Sequence, residues 1–469
     1  MKTDLRTIPR GKKELFIRAM MLALPMIIQN GITNAVGLVD NMMVGSLGPE
    51  SMTGVSIAGQ LFFVFNLAVF GALSGPGIFG AQFYGNNDTE GVRRVFRIKL
   101  WAVFLITLLG IVIFIFDDDL LIGLYMKGSA EKIDPVLTME RSKAYLRIML
   151  AGLLPFSLTQ VYSSSLRETN ESVLPMIAGL CSVVADILFN YLLIFGKAGF
   201  PAMGVEGAAI ATVIARFIEF GVLITAAHVR RSRYPFLQGV YKTLLVPKSL
   251  LVPVVKKGIP ILINEFMWAA GIAALTQCYS VRGLDVLTAL GINNALSNVM
   301  NVVFVALGSA VGIIVGQMLG AGELNLAKKS AFRLMWFSAG ICVFISIAQI
   351  LIAPFFPLVY NADESIRRMA THIMIITALF FPVQGFLNTE YFTIRSGGKT
   401  LVTFLMDSIF TWVVVVATVF VLSRYTNIGV YGIYTISQAL DLLKIAFGAF
   451  LIYKGVWLNN LSKGVVTNG

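Results

Sequence analysis

Eight ionisable side chains interrupt stretches of this chain that are otherwise apolar: Asp40, Asp186, Arg216, Glu219, Glu265, Asp407, Asp441 and Lys444. A charge placed in hydrocarbon is costly, so such residues persist where they face a cavity or a partner. Six of the eight are acids, although the whole chain carries a net charge of +12. An acidic interior inside a basic protein points to a cation as the species handled there, either a coupling ion or a substrate.

The acids fall into groups. Asp186 and Asn190, in VVADILFNYLLIFG, are spaced i, i+4 and share a helix face. Asp40, in TNAVGLVDNMMVG, and Thr212, in GAAIATV, complete a candidate site for H⁺ or Na⁺. Two carboxylates close together in a low dielectric do not both stay charged without a cation between them. The alternative is a polar cluster that only ties helices together. A second candidate set, suited to an organic cation or a secondary ion, is Glu265 (after Asn264), Gln384, Asp407 and Asn301, with Asn293, Asn294 and Asn298 crowding the same span as Asn301. Arg216 and Glu219 lie three apart, as do Asp441 and Lys444, so each pair can neutralise itself on one face, as a structural ion pair or as a gate. Setting these four aside leaves Asp40, Asp186, Glu265 and Asp407 with no basic residue in evident reach. Pro25 and Pro260 interrupt helix hydrogen bonding before Asp40 and Glu265, and are candidate hinges.

The elements that must position these residues are membrane spans. The chain is 57% hydrophobic and 13% charged, with a mean hydropathy of +0.80. Apolar runs of bilayer-spanning length recur throughout. Twelve spans are read, near 15–42, 54–82, 97–116, 145–165, 173–195, 204–229, 250–279, 286–316, 331–357, 369–393, 400–422 and 429–453. They must be helical, because lipid offers no partner to a free backbone N–H. The basic start, with Lys2 and Arg6, runs into a span too long for a cleaved leader. Cys181, Cys278 and Cys342 sit within spans at no metal-ligand spacing and read as packing residues. Two histidines in no motif, and no phosphate-binding loop, argue against an enzyme and against a bound cofactor.

The spans are arranged as a repeat. Pro25 matches Pro260, Gln82 and Gly85 match Gln317 and Gly320, Asn66 matches Asn301, and Arg93-Arg94 matches Lys328-Lys329, all at an offset of 235. Gly204 and Gly207 match Gly429 and Gly432 at 225. The division that follows is an amino-terminal lobe (1–229, helices 1–6), a basic linker (230–249) and a carboxyl-terminal lobe (250–469, helices 7–12), two parallel six-helix repeats. Lys and Arg gather on one set of alternate loops, which places both termini in the cytoplasm. The clusters Arg93, Arg94, Arg97, Lys99 and Arg230, Arg231, Arg233 then read as membrane-facing topology signals rather than a nucleic-acid site.

VDNMMVGSLG (39–48), GAQFYG (80–85), LLIFG with GFPAMGVEGAAIAT (192–212), VGQMLGAGELNLAKK (315–329) and IRSGGKT (394–400) together resemble the multidrug and toxic compound extrusion (MATE) family. The resemblance covers nearly the whole chain. It implies an all-α, V-shaped membrane fold of twelve helices in two pseudo-symmetric lobes. It also implies export of amphipathic or cationic drugs in exchange for H⁺ or Na⁺ across the cell membrane. The family's first-lobe ion site maps onto Asp40, Asp186, Asn190 and Thr212, although the order here, Asp then Asn four apart, reverses the common one. The second-lobe glutamate maps onto Glu265, and an acid of some Na⁺-coupled members falls near Gln384. The protein is expected to act as a monomer in a bilayer. A flippase for lipid-linked precursors, from a related superfamily, is the alternative; a cavity for anionic lipids would be lined with bases instead.

Overall fold

The computed structural model describes residues 8–126 and 134–463, so Lys2 and Arg6 lie outside the described residues. The first helices are α1 (Lys12–Gly45), α2 (Pro49–Gly85), α3 (Thr89–Phe116), a short α4 (Asp118–Met126), α5 (Pro135–Glu168), α6 (Val173–Phe195) and α7 (Gly204–Val229). They are followed by α8 (Lys248–Ser280), α9 (Leu284–Gly320), α10 (Leu324–Ile352) and α11 (Glu364–Ser396). The last two spans are broken. α12 (Thr400–Phe404) continues through π-helical turns at Leu405–Ile409 and Thr411–Val416 into α13 (Ala417–Tyr425), and α14 (Val430–Ala439) gives way at Leu440 to α15 (Asp441–Lys454). Among the described residues, 12 helical runs are long and apolar enough to cross a membrane, and they coincide with the twelve spans read from the sequence.

The chain forms two compact units. The carboxyl unit comprises Met1–Ile27, Ile78–Gly91 and Pro247–Gly469; the amino unit comprises Ile28–Gly77 and Val92–Val246. These differ from the sequence halves in assigning the start of α1 and the end of α2 to the carboxyl unit. The reason is apolar packing: Leu15, Ala19, Leu22, Ala23 and Met26 share one buried core with α9, α10 and α11. The boundary crosses α1 just after Pro25 and α2 just after Pro76.

The matched Gln82/Gly85 and Gln317/Gly320 pairs are packing devices of the carboxyl unit. A Cβ on Gly85 would strike the carbonyl of Gln317, and a Cβ on Gly320 would strike that of Gln82, so the two repeats meet reciprocally and backbone to backbone. The two glutamines are spent on structure. Gln82 is fully buried and donates to the carbonyls of Ser396 (2.8 Å) and Asn459 (3.2 Å) while accepting from the Leu461 amide. Gln317 accepts from Arg18 at 2.6 Å. In the amino unit, Gly207 lets α7 approach the backbone of α6 at Leu193.

Members of both basic clusters are corrected by the structure. Lys99 faces no membrane surface: it is fully buried and donates to Glu168 Oε1 (2.6 Å) and Oε2 (2.8 Å), Ser164 (3.1 Å) and Ser165 (3.0 Å). Arg93 and Arg97 donate to the carbonyls of Phe236 (3.3 Å) and Val240 (3.0 Å), strapping the linker onto α3. Arg233 pairs with Glu171 at 2.8 Å, and Tyr234 donates to the same carboxylate at 2.9 Å. Burial first, and the adjoining Glu171 carboxylate second, hold the Tyr234 phenol above its usual range, so it remains a donor. The segment between the halves is therefore a packed strap rather than a loose tether, with Tyr234, Phe236, Leu237 and Val240 buried. Of the cysteines, Cys278 and Cys342 are buried, but Cys181 is exposed and does not pack as expected.

Candidate functional site

In the amino unit, α1, α6, α7 and α5 converge on one polar cluster. Asn190 Nδ2 donates to Asp40 Oδ1 at 2.8 Å. One helical turn earlier on α6, Asp186 reaches Asp40 and the Thr212 hydroxyl on α7. Asp186 and Asn190 are both buried, 8% and 1% exposed. The expected i, i+4 face thus points inward and brings together all four residues of the first candidate set. Two carboxyls in mutual contact can share a proton or a cation. A cation also fits the remaining chemistry, because Asp186 Oδ1 and Asn190 Oδ1 are buried acceptors with no donor among the described residues. The donor set is two carboxylates, an amide oxygen and a hydroxyl, which suits a hard monovalent ion or a proton. Among the described residues no group of three His, Cys, Asp or Glu side chains forms that could hold a metal ion.

Sequence reading missed Tyr145 on α5, whose side chain meets Thr212 and stands in electrostatic reach of Arg216, Asp186 and Asp40. Arg216 also approaches the cluster, in electrostatic reach of Asp186, Tyr145 and Glu219, with its guanidinium 4.6 Å from the centre of the Phe156 ring. Arg216 and Glu219 do not close into a short ion pair among the described residues; Glu219 is in reach of both Arg216 and Arg167. Arg167 in turn donates to Gln29 at 2.9 Å.

The carboxyl unit is organised differently. Its acids are matched to partners. Glu265 on α8 lies 3.6 Å from Arg395 on α11, which corrects the expectation that Glu265 has no base in reach. Asp407, on the π-helical turn, accepts from Asn264 Nδ2 at 2.9 Å, while Ser408 donates to Asn264 Oδ1 at 2.8 Å. Wider π turns are frequent at functional positions. Asp441 pairs with Lys444 at 3.0 Å and accepts from Gln384 Nε2 at 2.7 Å; Lys444 also donates to Thr411 at 3.1 Å. Glu265, Gln384, Asp407 and Asp441 therefore belong to a network around α8, α11, the π segment and α15. Asn301, Asn294 and Asn298 do not join it and are exposed, whereas Asn293 is buried and committed to Tyr434 and Thr377. Pro25 is buried inside α1, and Pro260 is half-buried inside α8.

Two more buried acids are not among the interior charges of the sequence analysis. The hydropathy-based spans end at 165 and 393, but the helices run on to Glu168 and Ser396, so Glu168 and Arg395 fall past those ends. Glu390 lies within the span 369–393, three residues from its end.

The chain matches proteins already known. The MatE family profile matches residues 25–192 and 260–443. The "Probable multidrug resistance protein YoeA" of Bacillus subtilis is 27% identical over 456 residues, covering 96% of each chain. The "Probable multidrug resistance protein NorM" of Thermotoga maritima is 26% identical over 439 residues, covering 91% of this chain and 88% of that one. Among solved structures, an outward-facing multidrug resistance MATE family transporter of the MOP superfamily superimposes with a TM-score of 0.83 at 17% identity, covering 97% of this chain and 99% of the other. A MOP superfamily transporter from Pyrococcus furiosus, described as having a binding pocket of reverse polarity that suggests a different function, gives 0.82 at 18% identity with 97% and 99% coverage.

Proposed function

The chain belongs to the MatE family of multidrug efflux transporters, multi-pass membrane proteins rather than enzymes, and we propose that it is a secondary antiporter expelling amphipathic organic cations in exchange for H⁺ or Na⁺. The observation that carries this reading is the Asp40–Asp186 contact with its donor-less oxygens. A pair of adjoining carboxyls is a charge-compensated site: it is stable with one positive guest and unfavourable when both groups are ionised and empty. Entry of the coupling ion neutralises the pair, and binding of a cationic substrate is favoured once that ion has left. Thr212 and Asn190 supply the neutral oxygens, and Tyr145 and Arg216 set the electrostatic surroundings. A change of charge at Asp40 is transmitted along α1 toward the proline at 25, where the missing hydrogen bond lets the helix bend.

The fold alone does not set the sign of the substrate, since a structural relative is described with a pocket of reverse polarity. The acids do. In the carboxyl unit Glu265, Asp407 and Asp441 stand against Arg395 and Lys444, an excess of negative charge that favours a cationic rather than an anionic guest. The excess of Lys and Arg on one set of loops supports cytoplasmic termini.

The test is transport of a fluorescent organic cation by proteoliposomes under an imposed H⁺ or Na⁺ gradient, each collapsed in turn. Wild-type protein should lose efflux with one of the two gradients. Asp40→Asn and Asp186→Asn, inserted normally, should lose gradient-driven efflux. Undiminished, ion-dependent efflux in both variants would sink the coupling role.

A further inference from the structure

Outside the acids already discussed, one carboxyl is enclosed more completely than any of them. Glu390 on α11 is 0% exposed. Among the described residues neither Oε1 nor Oε2 has a hydrogen-bond partner. Gly448 and Met406 are among its neighbours: a Cβ on Gly448 of α15 would strike Glu390 Oε1 and would also lie 2.7 Å from Met406 Cε. The nearest hydroxyls on its own helix are committed elsewhere, Thr389 donating to Gly385 O (2.8 Å) and Thr393 to Thr389 O (2.8 Å). An ionised carboxylate in such a place would forfeit its hydration with nothing in return, whereas a neutral carboxylic acid fits it. A metal cation fits poorly, since it needs several oxygen ligands and meets a thioether and a glycine backbone instead.

The surrounding charges do not rescue the ionised form. Arg395 on α11 is engaged with Glu265, and Lys444 on α15 with Asp441 and Thr411. Tyr434 on α14 is bonded to Thr377 and Asn293. α10 presents the Cys342 thiol to α11 at Gly385, and α9 presents apolar side chains such as Phe304 and Leu307. The Tyr391 phenol is the polar group that connects this acid with the rest: its hydroxyl is buried without a partner and stands in electrostatic reach of Glu390, Asp407 and Asp441. The elements enclosing the carboxyl are also irregular ones, the π-helical run holding Met406 and the separate helix α15 that begins after the break at Leu440.

We propose that Glu390 is a proton-binding site of the carboxyl unit, separate from the Asp40–Asp186 pair, closed by the contact between α11 and Gly448 of α15. Its chemistry is Glu390–COOH giving Glu390–COO⁻ plus one H⁺, with no other bond made or broken. Release requires the Gly448 backbone to draw away so that water or the Tyr391 hydroxyl can solvate the anion. The site's role in efflux rests on the antiporter reading; proton binding itself does not.

Both parts are tested on full-length protein reconstituted in lipid. Infrared difference spectra between acid and alkaline buffer should show a buried carboxylic acid signal in wild type and in Asp40→Asn that disappears in Glu390→Gln. H⁺-driven efflux of an organic cation should be lost in Glu390→Gln. Glu390→Leu, which fills the enclosed space without a proton, provides the same readouts if the glutamine variant does not reach the membrane. Identical spectra in wild type and Glu390 variants, or undiminished H⁺-driven efflux in them, would overturn the proposal. If wild type itself shows no gradient-driven efflux, the antiporter reading fails, and the infrared signal still decides whether Glu390 binds a proton.

Discussion

The two acid-bearing regions solve the problem of buried negative charge in opposite ways. In the amino unit, Asp40 and Asp186 face each other and their hydrogen-bond partners are neutral, an amide and a hydroxyl; Arg216 stands in electrostatic reach of Asp186 without forming a short ion pair with it among the described residues. In the carboxyl unit, Glu265 and Asp441 each have a base within 3.6 and 3.0 Å, and Asp407 has an amide donor. A carboxylate with a fixed counter-charge does not need a mobile one. On the antiporter reading, the Asp40–Asp186 pair is the one left to be balanced by a mobile cation, while the paired acids of the carboxyl unit are suited to exchanging one partner for another.

Substitutions in the two regions should therefore behave differently. The largest effect is expected from Asp186→Asn, which should abolish gradient-driven efflux while leaving the protein folded, because the amide keeps the shape and removes the titrating charge; transport in proteoliposomes measures it. Next is Lys99→Met, which removes the counter-charge hydrogen-bonded to the buried Glu168 and should lower stability by about 3–5 kcal/mol, read as thermal unfolding of purified protein. The double variant Lys99→Met/Glu168→Leu should recover most of that loss; no recovery would mean the pair does more than neutralise itself. Gly448→Ala forces a methyl against Glu390 and Met406 and should cost about 1–3 kcal/mol, with relief when Glu390 is also replaced by Ala. Glu265→Gln should weaken drug affinity without changing which ion drives efflux, since the partner it loses, Arg395, lies in the substrate region; a switch in ion dependence would erase the contrast between the regions. Smallest of all, Asn301→Ala should change stability by less than about 0.5 kcal/mol and leave efflux near wild type, because Asn301 is exposed and outside the network.

The twelve spans, their helical nature and the duplication were legible because hydropathy and a fixed offset are one-dimensional properties. The grouping of Asp186 with Asn190 was legible for a similar reason, as helical periodicity places i and i+4 on one face. Part of what the sequence hides lies at the ends of helices. Hydropathy falls wherever a charge occurs, so it trims spans at residues that are buried in pairs. Glu168 and Arg395 fall past the trimmed ends, so Glu265 has no base in evident reach although Arg395 is only 130 positions away. Lys99 and Glu390 lie within spans, where composition does not distinguish a buried charge from a surface one.

The sequence by itself determined that this is a membrane protein of two repeated bundles with an acidic interior, because lipid imposes length, apolarity and helicity on every span regardless of neighbours. Tertiary structure alone decided which acids are compensated. Whether a carboxyl meets an arginine, an amide, a second carboxyl or only a glycine depends on how helices far apart in the chain approach one another, and electrostatic energy is set by those distances in space.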